Sequence, residues 1–302
     1  MLIPCYNEAV AIGPVVAAFR AALPDATVYV YDNNSTDTTM AVAHEAGAVV
    51  RSERLQGKGH VVRRMFADIE AEVYLLVDGD DTYEAAAAPT LVRLVLDQQL
   101  DMVTAVRVTD RAAAYRPGHR LGNRVLTGLV AAIFGNRVTD MLSGYRAFSR
   151  RFVKSFPALS AGFETETELT VHALELDMPV GEVKTAYKER PPGSTSKLRT
   201  YTDGARILAL IVRLVKEERP LQFFSLAGLG FLAGSFALLL PVLMTYFDTG
   251  LVPRLPSFVA SMVLMLLGFL SFACGLILES LARARKEAKR LRYLALPAPG
   301  AG

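Results

Sequence analysis

The sequence has few of the residues that mark disulfide-bonded, zinc-binding or nucleic-acid-binding proteins. Its two cysteines, Cys5 and Cys274, lie in very different contexts, which excludes a disulfide framework and indicates reduced thiols in a cytoplasmic setting. The four histidines show no metal-ligand spacing. A formal net charge of only +3 gives no overall field that would point to a nucleic-acid partner.

Charge is also absent from two long stretches near the end of the chain, residues 223–247 and 257–278. Each is long enough to cross a hydrocarbon layer of ~30 Å at ~1.5 Å per residue. Basic residues precede the first stretch within 201–220 and follow the second in a tail over 282–302. The positive-inside rule therefore predicts a transmembrane hairpin over 221–281 in an inner (cytoplasmic) membrane, with both termini in the cytoplasm.

Two segments, 117–136 and 201–220, are predicted to form amphipathic helices. Such periodicity is usual in core helices, but the second segment leads directly into an apolar stretch, so we favour helices that lie in the headgroup region. Gly230 and Gly234 form a G-x-x-x-G pattern that is typical of helix-packing faces. A homo-oligomer is one interpretation of this pattern, and two unrelated glycines in a span are an equal alternative.

Strand-like and helix-like segments alternate in the first part of a predicted N-terminal domain over residues 1–200. We expect strands at 2–4, 27–31, 48–50 and 73–77. Helices are expected between them at 10–23, from a cap at Ser35 or Thr36 to Gly47, and at 58–70. This alternation predicts an α/β fold with a mostly parallel sheet and helices on both faces. The chain enters directly into a strand-like segment at Met1, so we expect no signal peptide.

The strand predicted at 73–77 ends in a turn with several carboxylates. Asp78 and Asp80 are two residues apart, so they share a face in an extended chain, and Gly79 allows the backbone to bend. Two converging hard oxygen ligands suit Mg²⁺ or Mn²⁺, which usually also bind substrate phosphate oxygens. In isolation, such a pattern is more often a solvated turn.

Three further polar clusters lie in the same domain. They cover residues 4–8 (Pro-Cys-Tyr-Asn-Glu), 32–37 (Asp-Asn-Asn-Ser-Thr-Asp) and 56–59 (Gln-Gly-Lys-Gly). The carboxyl ends of parallel strands fall along one edge of a sheet, so the clusters should converge there. Each cluster alone is weak evidence, but four in this order favour a metal and nucleotide site over a solvated turn.

With these motifs in this order, the chain resembles the inverting glycosyltransferases of family GT2. The matches are Ile-Pro-Cys-Tyr-Asn-Glu at 3–8, Asp-Asn-Asn-Ser-Thr-Asp at 32–37, Gly-Lys-Gly at 57–59 and Asp-x-Asp at 78–80. Residues 140–150, 163–175 and 187–197 resemble the polyprenyl-phosphate branch, which includes dolichyl-phosphate mannose synthases and bacterial undecaprenyl-phosphate glucosyltransferases. The resemblance implies a doubly wound sheet of the GT-A (nucleotide-diphospho-sugar transferase) type. It also implies transfer of a hexose-type sugar from a UDP- or GDP-sugar to an undecaprenyl or dolichyl monophosphate.

The resemblance also implies donor-side roles for individual residues. Donor-nucleotide binding is implied for Pro4, Tyr6, Asn7, Glu8, Asp32, Asn33, Gly57, Lys58, Asp78 and Gly79. The carboxylate of Asp32 accepts hydrogen bonds only, which suits an N–H group of uracil or guanine and leaves UDP and GDP both open. Asp78 and Asp80 are implied as ligands of Mg²⁺ or Mn²⁺, where the metal stabilises the departing nucleotide.

On the acceptor side, cations are needed because a lipid phosphate must approach an anionic diphosphate. Catalytic roles are implied for Asp78, Asp80, Asp140, Arg190 and Lys197. Acceptor-phosphate binding is implied for Arg120, Arg124, Arg146, Ser194, Ser196 and Glu168, and Glu168 is the glutamate of its helix that we place towards the site. A phosphate oxygen is already ionised near neutral pH, so in-line attack with inversion needs no strong general base.

The same sequence bears on three other functions. A processive polysaccharide synthase would carry a Gln-x-x-Arg-Trp motif, and the chain has no tryptophan and too few spans for a channel. An anchored GT2 transferase that acts on lipopolysaccharide or another glycan stays open. A non-catalytic membrane adaptor with the same fold is disfavoured, because it would have no need of the metal ligands Asp78 and Asp80.

Overall fold

The computed structural model describes residues 1–108, 128, 138–162, 164–192, 208–209, 212–213, 216–217 and 219–300. The chain divides into two compact units. The first comprises Met1–Leu208 together with Lys289–Gly302, and the second comprises Ala209–Ala288. The amphipathic segments predicted at 117–136 and 201–220 lie largely outside the described residues.

The first unit is built on a sheet whose described strands have the order β3-β2-β1-β4-β6-β5-β7. Neighbouring strands are parallel, except that β6 lies antiparallel between β4 and β5. The strands are β1 (Leu2–Cys5), β2 (Tyr29–Asp32), β3 (Val49–Ser52), β4 (Val73–Leu76), β5 (Met102–Val108), β6 (Arg146–Ser149) and β7 (Val180–Ala186). This confirms the predicted mostly parallel, doubly wound α/β sheet.

Helices alternate with the strands along the chain, and two long helices come after the last of the described strands. They are α1 (Ile12–Ala22), α2 (Thr39–Glu45), α3 (Lys58–Asp68), α4 (Ala88–Asp97), α5 (Arg150–Ser155), α6 (Thr165–Glu175), α7 (Pro220–Thr249) and α8 (Leu255–Leu294). Helix α1 shows how a sequence period of 3.6 fixes packing, because it buries Ile12, Val15, Val16 and Phe19 on one face. The core formed in this way holds the strands, and therefore the loops at their ends, in fixed positions.

The strand order places a switch point beside β1. Strands β2 and β3 lie on one side of β1 and β4 lies on the other, and ligands of such sheets bind outside the carboxyl ends at this point. Cys5, the last residue of β1, pairs with Asp32, the last residue of β2, while Leu2 pairs with Leu76 of β4. The polar loops that follow β1 and β2 therefore start side by side, and Gly79, three residues after the end of β4, lies against Cys5.

Helix α6 has no exposed face, since all eleven of its residues are buried. Its polar side chains are consequently held by the protein. The Glu168 carboxylate accepts hydrogen bonds from the backbone N–H groups of Leu159 (2.8 Å) and Ser160 (2.9 Å). Glu175 pairs with Lys289 at 2.7 Å. The direction of each polar side chain on this helix is set by tertiary contacts and not by a solvent-facing side.

His172 on α6 should make the first unit sensitive to acid. The imidazole is buried between the rings of Phe152 and Phe156, and its Nε2 lies 3.1 Å from Ser155 Oγ. Burial, and to a smaller extent the charge of Lys289, lowers the pKa of His172 to about 3. The folded protein then binds this proton more weakly than the unfolded chain, so stability is present above about pH 6.5 and is lost as the pH falls below it.

The expected loss in the free energy of unfolding between pH 7.5 and pH 5.5 is about 1.4 kcal/mol. Chemical denaturation of the full chain in detergent at both pH values measures it. His172→Gln should remove this pH dependence, because glutamine keeps a nitrogen near Ser155 without titrating. His44→Gln, at an exposed position, should leave it in place. An unchanged pH dependence in His172→Gln would show that another group is responsible.

A second buried polar group joins the end of the chain to the first unit. The Asp101 carboxylate, which is 0% exposed, accepts hydrogen bonds from Ser149 Oγ (2.6 Å) and Arg151 Nε (2.5 Å). It also accepts one from the Tyr293 hydroxyl at 2.7 Å, and the Arg151 guanidinium lies 4.8 Å from the centre of the Tyr293 ring. Residues 289–300 are therefore an integral part of the first unit.

The second unit contains two helices, α7 and α8, that are long and apolar enough to cross a membrane. Apart from Pro220 at the start of α7, their buried positions recur every seven residues and are mostly small: Gly228, Ser235 and Val242 in α7, and Ser261, Gly268, Gly275 and Ala282 in α8. Small side chains at this repeat allow two helices to approach closely. A Cβ atom on Gly268 would lie 3.2 Å from the carbonyl oxygen of Gly228, and Ser235 Oγ donates to the Ser261 carbonyl at 2.7 Å.

The G-x-x-x-G pattern of Gly230 and Gly234 does not form this contact. A Cβ atom on Gly230 would meet nothing within 4 Å, and one on Gly234 would make only an ordinary contact with Leu264 at 3.6 Å. The helix-packing face within the unit is displaced by about half a turn, to the line through Gly228 and Ser235. The predicted helix-packing role of Gly230 and Gly234 is therefore corrected for the α7–α8 contact.

Candidate functional site

The loops after β1 and β2 are joined by hydrogen bonds from both sides. Asn7 has a positive φ of 52°, its N–H donates to Ser35 Oγ (2.8 Å), and its side-chain oxygen accepts from the Thr36 N–H (2.8 Å). The Glu8 N–H donates to Thr39 Oγ1 at 2.9 Å. Asn7 therefore fixes the loop, while the buried Glu8 carboxylate and the Tyr6 ring, 37% exposed, stay beside it.

Asp32 keeps one buried oxygen atom without a partner among the described residues. Its Oδ2 accepts a hydrogen bond from the Ser35 N–H at 3.0 Å, whereas Oδ1 has no hydrogen-bond partner in that part of the chain. A buried acceptor without a partner is costly unless a ligand satisfies it. This arrangement leaves a buried acceptor that an N–H group of a ligand could satisfy.

The neighbouring Asn33 builds the adjacent loop. Its side chain accepts from the Gly57 N–H (2.7 Å) and donates to the carbonyls of Glu53 (2.9 Å) and Leu55 (2.8 Å). Gly57 has a φ of 131°, which only glycine adopts without strain, and α3 begins directly after it. Asn33 and Gly57 therefore position Lys58 at the start of α3.

The turn after β4 is packed tightly on both sides. A Cβ atom on Gly79 would collide with the Cys5 thiol, and one on Gly144 would collide with the Asp78 carboxylate. Asp80 is buried, and its Oδ1 accepts hydrogen bonds from the Thr82 N–H (3.3 Å) and hydroxyl (2.6 Å). The two glycines therefore allow the Cys5 thiol to lie close to Gly79 and the Asp78 carboxylate to lie close to Gly144.

Four carboxylates converge at this edge of the sheet. Burial raises the pKa of the Cys5 thiol well above its usual value, and the negative charges of Glu8, Asp32, Asp78 and Asp80 raise it further. The pKa of Asp80 is raised by its burial and then by repulsion from Asp78. This excess of negative charge attracts cations.

Two cations already face these carboxylates. Arg190, which follows β7, lies 2.5 Å from Asp80 Oδ2 and 4.0 Å from Glu8 Oε1. Lys58 Nζ lies 2.5 Å from Asp78 Oδ1 and also donates to Glu166 Oε1. The structure thus brings together Glu8, Lys58, Asp78, Asp80 and Arg190, which the sequence had assigned to one site.

Arg146 is buried inside the first unit and is enclosed by other protein groups. It is the first residue of the central strand β6, its side chain is 0% exposed, and its guanidinium donates to the carbonyls of Ser143 (2.9 Å) and Met141 and to Thr170 Oγ1 (2.8 Å). Burial lowers its pKa. The interpretation of Arg146 as an acceptor-phosphate ligand is therefore corrected: its donors are used by the protein, and it joins β6 to α6.

Two other side chains that were predicted to act on the acceptor side also form bonds with other residues of the protein. Asp140 forms a two-pronged ion pair with Arg107, with 2.8 Å from Nε to Oδ2 and 2.7 Å from Nη2 to Oδ1. The Glu168 carboxylate accepts hydrogen bonds from the backbone N–H groups of Leu159 and Ser160, and its place towards the site stays a prediction. Arg120, Arg124, Ser194, Ser196 and Lys197 lie outside the described residues.

Glu166 is the site residue that sequence reasoning did not single out. It is buried on the first turn of α6 and contacts Lys58. One signal was present in the sequence: no Lys or Arg lies within four residues of Glu166, so a partner for its charge had to come from another element.

The pair Asp78 and Asp80 fits a divalent cation. The described residues contain no cluster of three or more His, Cys, Asp and Glu side chains that could hold a metal, so the protein itself offers few ligands. Mg²⁺ and similar ions are usually bound by one or two carboxylates, with substrate phosphate and water completing the shell. A cation there would offset the repulsion between Asp78 and Asp80.

Two curated glycosyltransferases are similar to this chain in sequence. Glycosyltransferase AglJ of Haloferax volcanii is 37% identical over 248 residues, which is 80% of this chain and 80% of AglJ. The dolichyl-phosphate hexose transferase of the same organism is 29% identical over 214 residues, covering 71% of this chain and 92% of that protein.

A solved structure shows the same fold. Glucosyl-3-phosphoglycerate synthase from Mycobacterium tuberculosis, in complex with Mn²⁺, UDP and glucosyl-3-phosphoglycerate, matches with a TM-score of 0.58 and 24% identity. The match covers 71% of this chain and 77% of the synthase. The first unit accordingly has a GT-A-like mixed α/β sheet. Residues 1–156, more than half of the chain, match glycosyl transferase family 2. The chain is therefore a glycosyltransferase that belongs to glycosyl transferase family 2.

Proposed function

We propose that this enzyme is membrane-bound and moves a hexose-type sugar from a UDP- or GDP-sugar to a polyprenyl monophosphate, with inversion at the anomeric carbon. The observation that carries the proposal is the pair of Asp78 and the buried Asp80 with Arg190 against it, because it combines metal ligands with a phosphate-binding cation. The name of the H. volcanii dolichyl-phosphate hexose transferase supports the lipid acceptor.

On the donor side, Asp32 would accept a hydrogen bond from the base through its unpartnered Oδ1, and the half-exposed Tyr6 ring would pack against base or ribose. Asp78 and Asp80 would hold Mg²⁺ or Mn²⁺. When bound, this ion offsets the negative charge that develops on the departing nucleoside diphosphate. Arg190 adds a second positive charge that is already in place at Asp80.

On the acceptor side, an ionised phosphate oxygen attacks the anomeric carbon while the bond to the diphosphate breaks. The new bond forms on the face opposite the leaving group, so an α-linked donor gives a β-linked product. Arg190 has the planar guanidinium that suits phosphate, and Lys197, Arg124 and Arg120 are proposed to contribute the remaining charge. No side chain has to remove a proton from the acceptor.

The membrane arrangement is part of the proposal. Helices α7 and α8 would form a transmembrane hairpin in the cytoplasmic membrane, with the basic residues at both of its ends in the cytoplasm. A lipid phosphate lies at the membrane surface and cannot leave it. An enzyme held at that surface meets its acceptor there.

The proposal is tested with a panel of UDP- and GDP-sugars, Mg²⁺ or Mn²⁺, and undecaprenyl phosphate, with the full chain in detergent. We expect one nucleotide sugar to give a lipid-linked phosphodiester whose anomeric configuration, measured by NMR, is inverted relative to the donor. Transfer to a lipid-free glycan in place of the polyprenyl phosphate would contradict the acceptor. Retention of configuration would contradict the mechanism.

Asp32→Asn is expected to raise the KM for the nucleotide sugar about tenfold or more, with a smaller effect on kcat. An asparagine has one acceptor oxygen and an NH₂ group in place of the second oxygen, so its oxygen can face either the Ser35 N–H or the base N–H, but not both. Steady-state kinetics at varied donor concentration measures the effect. Asp25→Asn at an exposed turn is the control, and an unchanged KM in Asp32→Asn would remove Asp32 from the nucleotide site.

A further inference from the structure

Three charged side chains form a nearly closed group that includes Asp78 of the proposed metal-binding pair. Lys58 lies between Asp78, at 2.5 Å, and Glu166. The Lys58 side chain is 9% exposed and that of Glu166 is 7% exposed, whereas Asp78 is 29% exposed. Asp78 is therefore the member of the group that faces outward, and Glu166 is the member furthest inside.

The backbone around Lys58 leaves it little freedom to move. Helix α3 starts at Lys58 directly after the left-handed Gly57, whose N–H is held by Asn33. The Gly59 N–H donates to the Ala161 carbonyl at 3.0 Å, just before the segment that enters α6. This contact brings the start of α3 against the start of α6, where Glu166 lies. The pairing of Lys58 with Glu166 thus follows from the fold.

The charges explain what Glu166 adds. A buried Lys58 that paired with Asp78 alone would cancel the charge of Asp78, and a divalent cation would find little attraction there. With Glu166 the group has two negative charges and one positive charge. Asp78 can then share its outer side with a cation while Lys58 stays bound on the inner side.

A core position alone does not account for this glutamate, although its charge also offsets part of the effect of burial on the pKa of Arg146. Its Oε2 is buried and has no hydrogen-bond partner among the described residues, so the charge is kept at a cost to stability. We infer that Glu166 is a positioning residue of the transfer reaction: it holds Lys58 and restores the negative charge with which Asp78 binds the divalent cation. This inference rests on the proposed metal role of Asp78 and Asp80.

We expect the affinity for Mn²⁺ to rise with the net negative charge of the group formed by Lys58, Asp78 and Glu166. The net charge of the group is −1 in the unsubstituted protein and zero in Glu166→Gln. It is −2 in Lys58→Met and −1 again in the variant that carries both substitutions. Titration of Mn²⁺ into the full chain in detergent, followed by the EPR signal of free Mn²⁺, needs no sugar substrate. We expect Glu166→Gln to weaken binding about tenfold, Lys58→Met to strengthen it, and the double variant to bind within about threefold of the unsubstituted protein.

Glu164→Gln, two residues before Glu166, removes the same charge outside the group and should leave Mn²⁺ affinity unchanged. Glu166→Gln with unchanged affinity, or a double variant that binds no better than Glu166→Gln, would overturn the inference. Asp80→Asn reports on the metal site itself. If it loses Mn²⁺ while Glu166→Gln does not, only the role of Glu166 fails; if the unsubstituted protein binds no Mn²⁺, the proposed metal site fails with it.

Discussion

Replacement of Asp80 by asparagine should reduce kcat/KM for sugar transfer about 10³-fold or more. Asparagine keeps the side-chain oxygen that accepts from the Thr82 N–H and hydroxyl, so the turn after β4 should stay folded. It removes the negative charge that faces Arg190 at 2.5 Å and that would bind the divalent cation. The reaction would then lose both a metal ligand and the fixed position of the arginine.

Kinetics with the nucleotide sugar found in the panel measures this loss, and thermal unfolding shows whether the variant is folded. Asp97→Asn removes a carboxylate at an exposed position of α4 and should retain full activity. Chelation of divalent cations should inactivate the unsubstituted enzyme to a similar degree. A folded Asp80→Asn protein with more than a tenth of the original activity would show that Asp80 is not a metal ligand.

Asp101→Ala should lower the free energy of unfolding by about 3–5 kcal/mol, because it leaves the partly buried Arg151 without its ion-pair partner. Ser149 and Tyr293 would lose their acceptor as well. Tyr293→Phe removes only one hydrogen bond to a charged group and should cost about 1.5–3 kcal/mol.

Chemical denaturation of the full chain measures both variants. Asp97→Ala is the matched control at an exposed site, where an effect within about 0.5 kcal/mol is expected. Equal losses in Asp101→Ala and Tyr293→Phe would indicate that only the contact with Tyr293 matters and that Arg151 finds another partner.

The donor side of the site could be predicted from sequence because its residues directly follow regular elements. Asp32 ends β2, Asp78 and Asp80 follow β4, and Lys58 begins α3 after a glycine. In each case the alternation of strands and helices fixes where the loop must lie. Parallel pairing then brings the loops together without any detail of side-chain packing.

The deeper part of the site could not be predicted in this way. Residues 146–149 form an antiparallel strand in the middle of the sheet, so Arg146 is enclosed by neighbours that are distant in sequence. On α6 every position is buried, so the sequence pattern alone cannot show whether Glu166 or Glu168 contacts Lys58. The close approach of Gly59 to Ala161 decides between them.

The return of residues 289–300 to the first unit bears on how the enzyme is prepared for study. A soluble fragment that stops before the apolar helices would lack Tyr293, and it would open the surroundings of Asp101 and Arg151 to water. The same fragment would leave Glu175 without Lys289 and Glu72 without the Gly300 N–H. Truncation would therefore damage the catalytic unit even if the apolar helices themselves took no part in the reaction. A fragment that retains the last fourteen residues, Lys289–Gly302, is the one whose activity reports on the site.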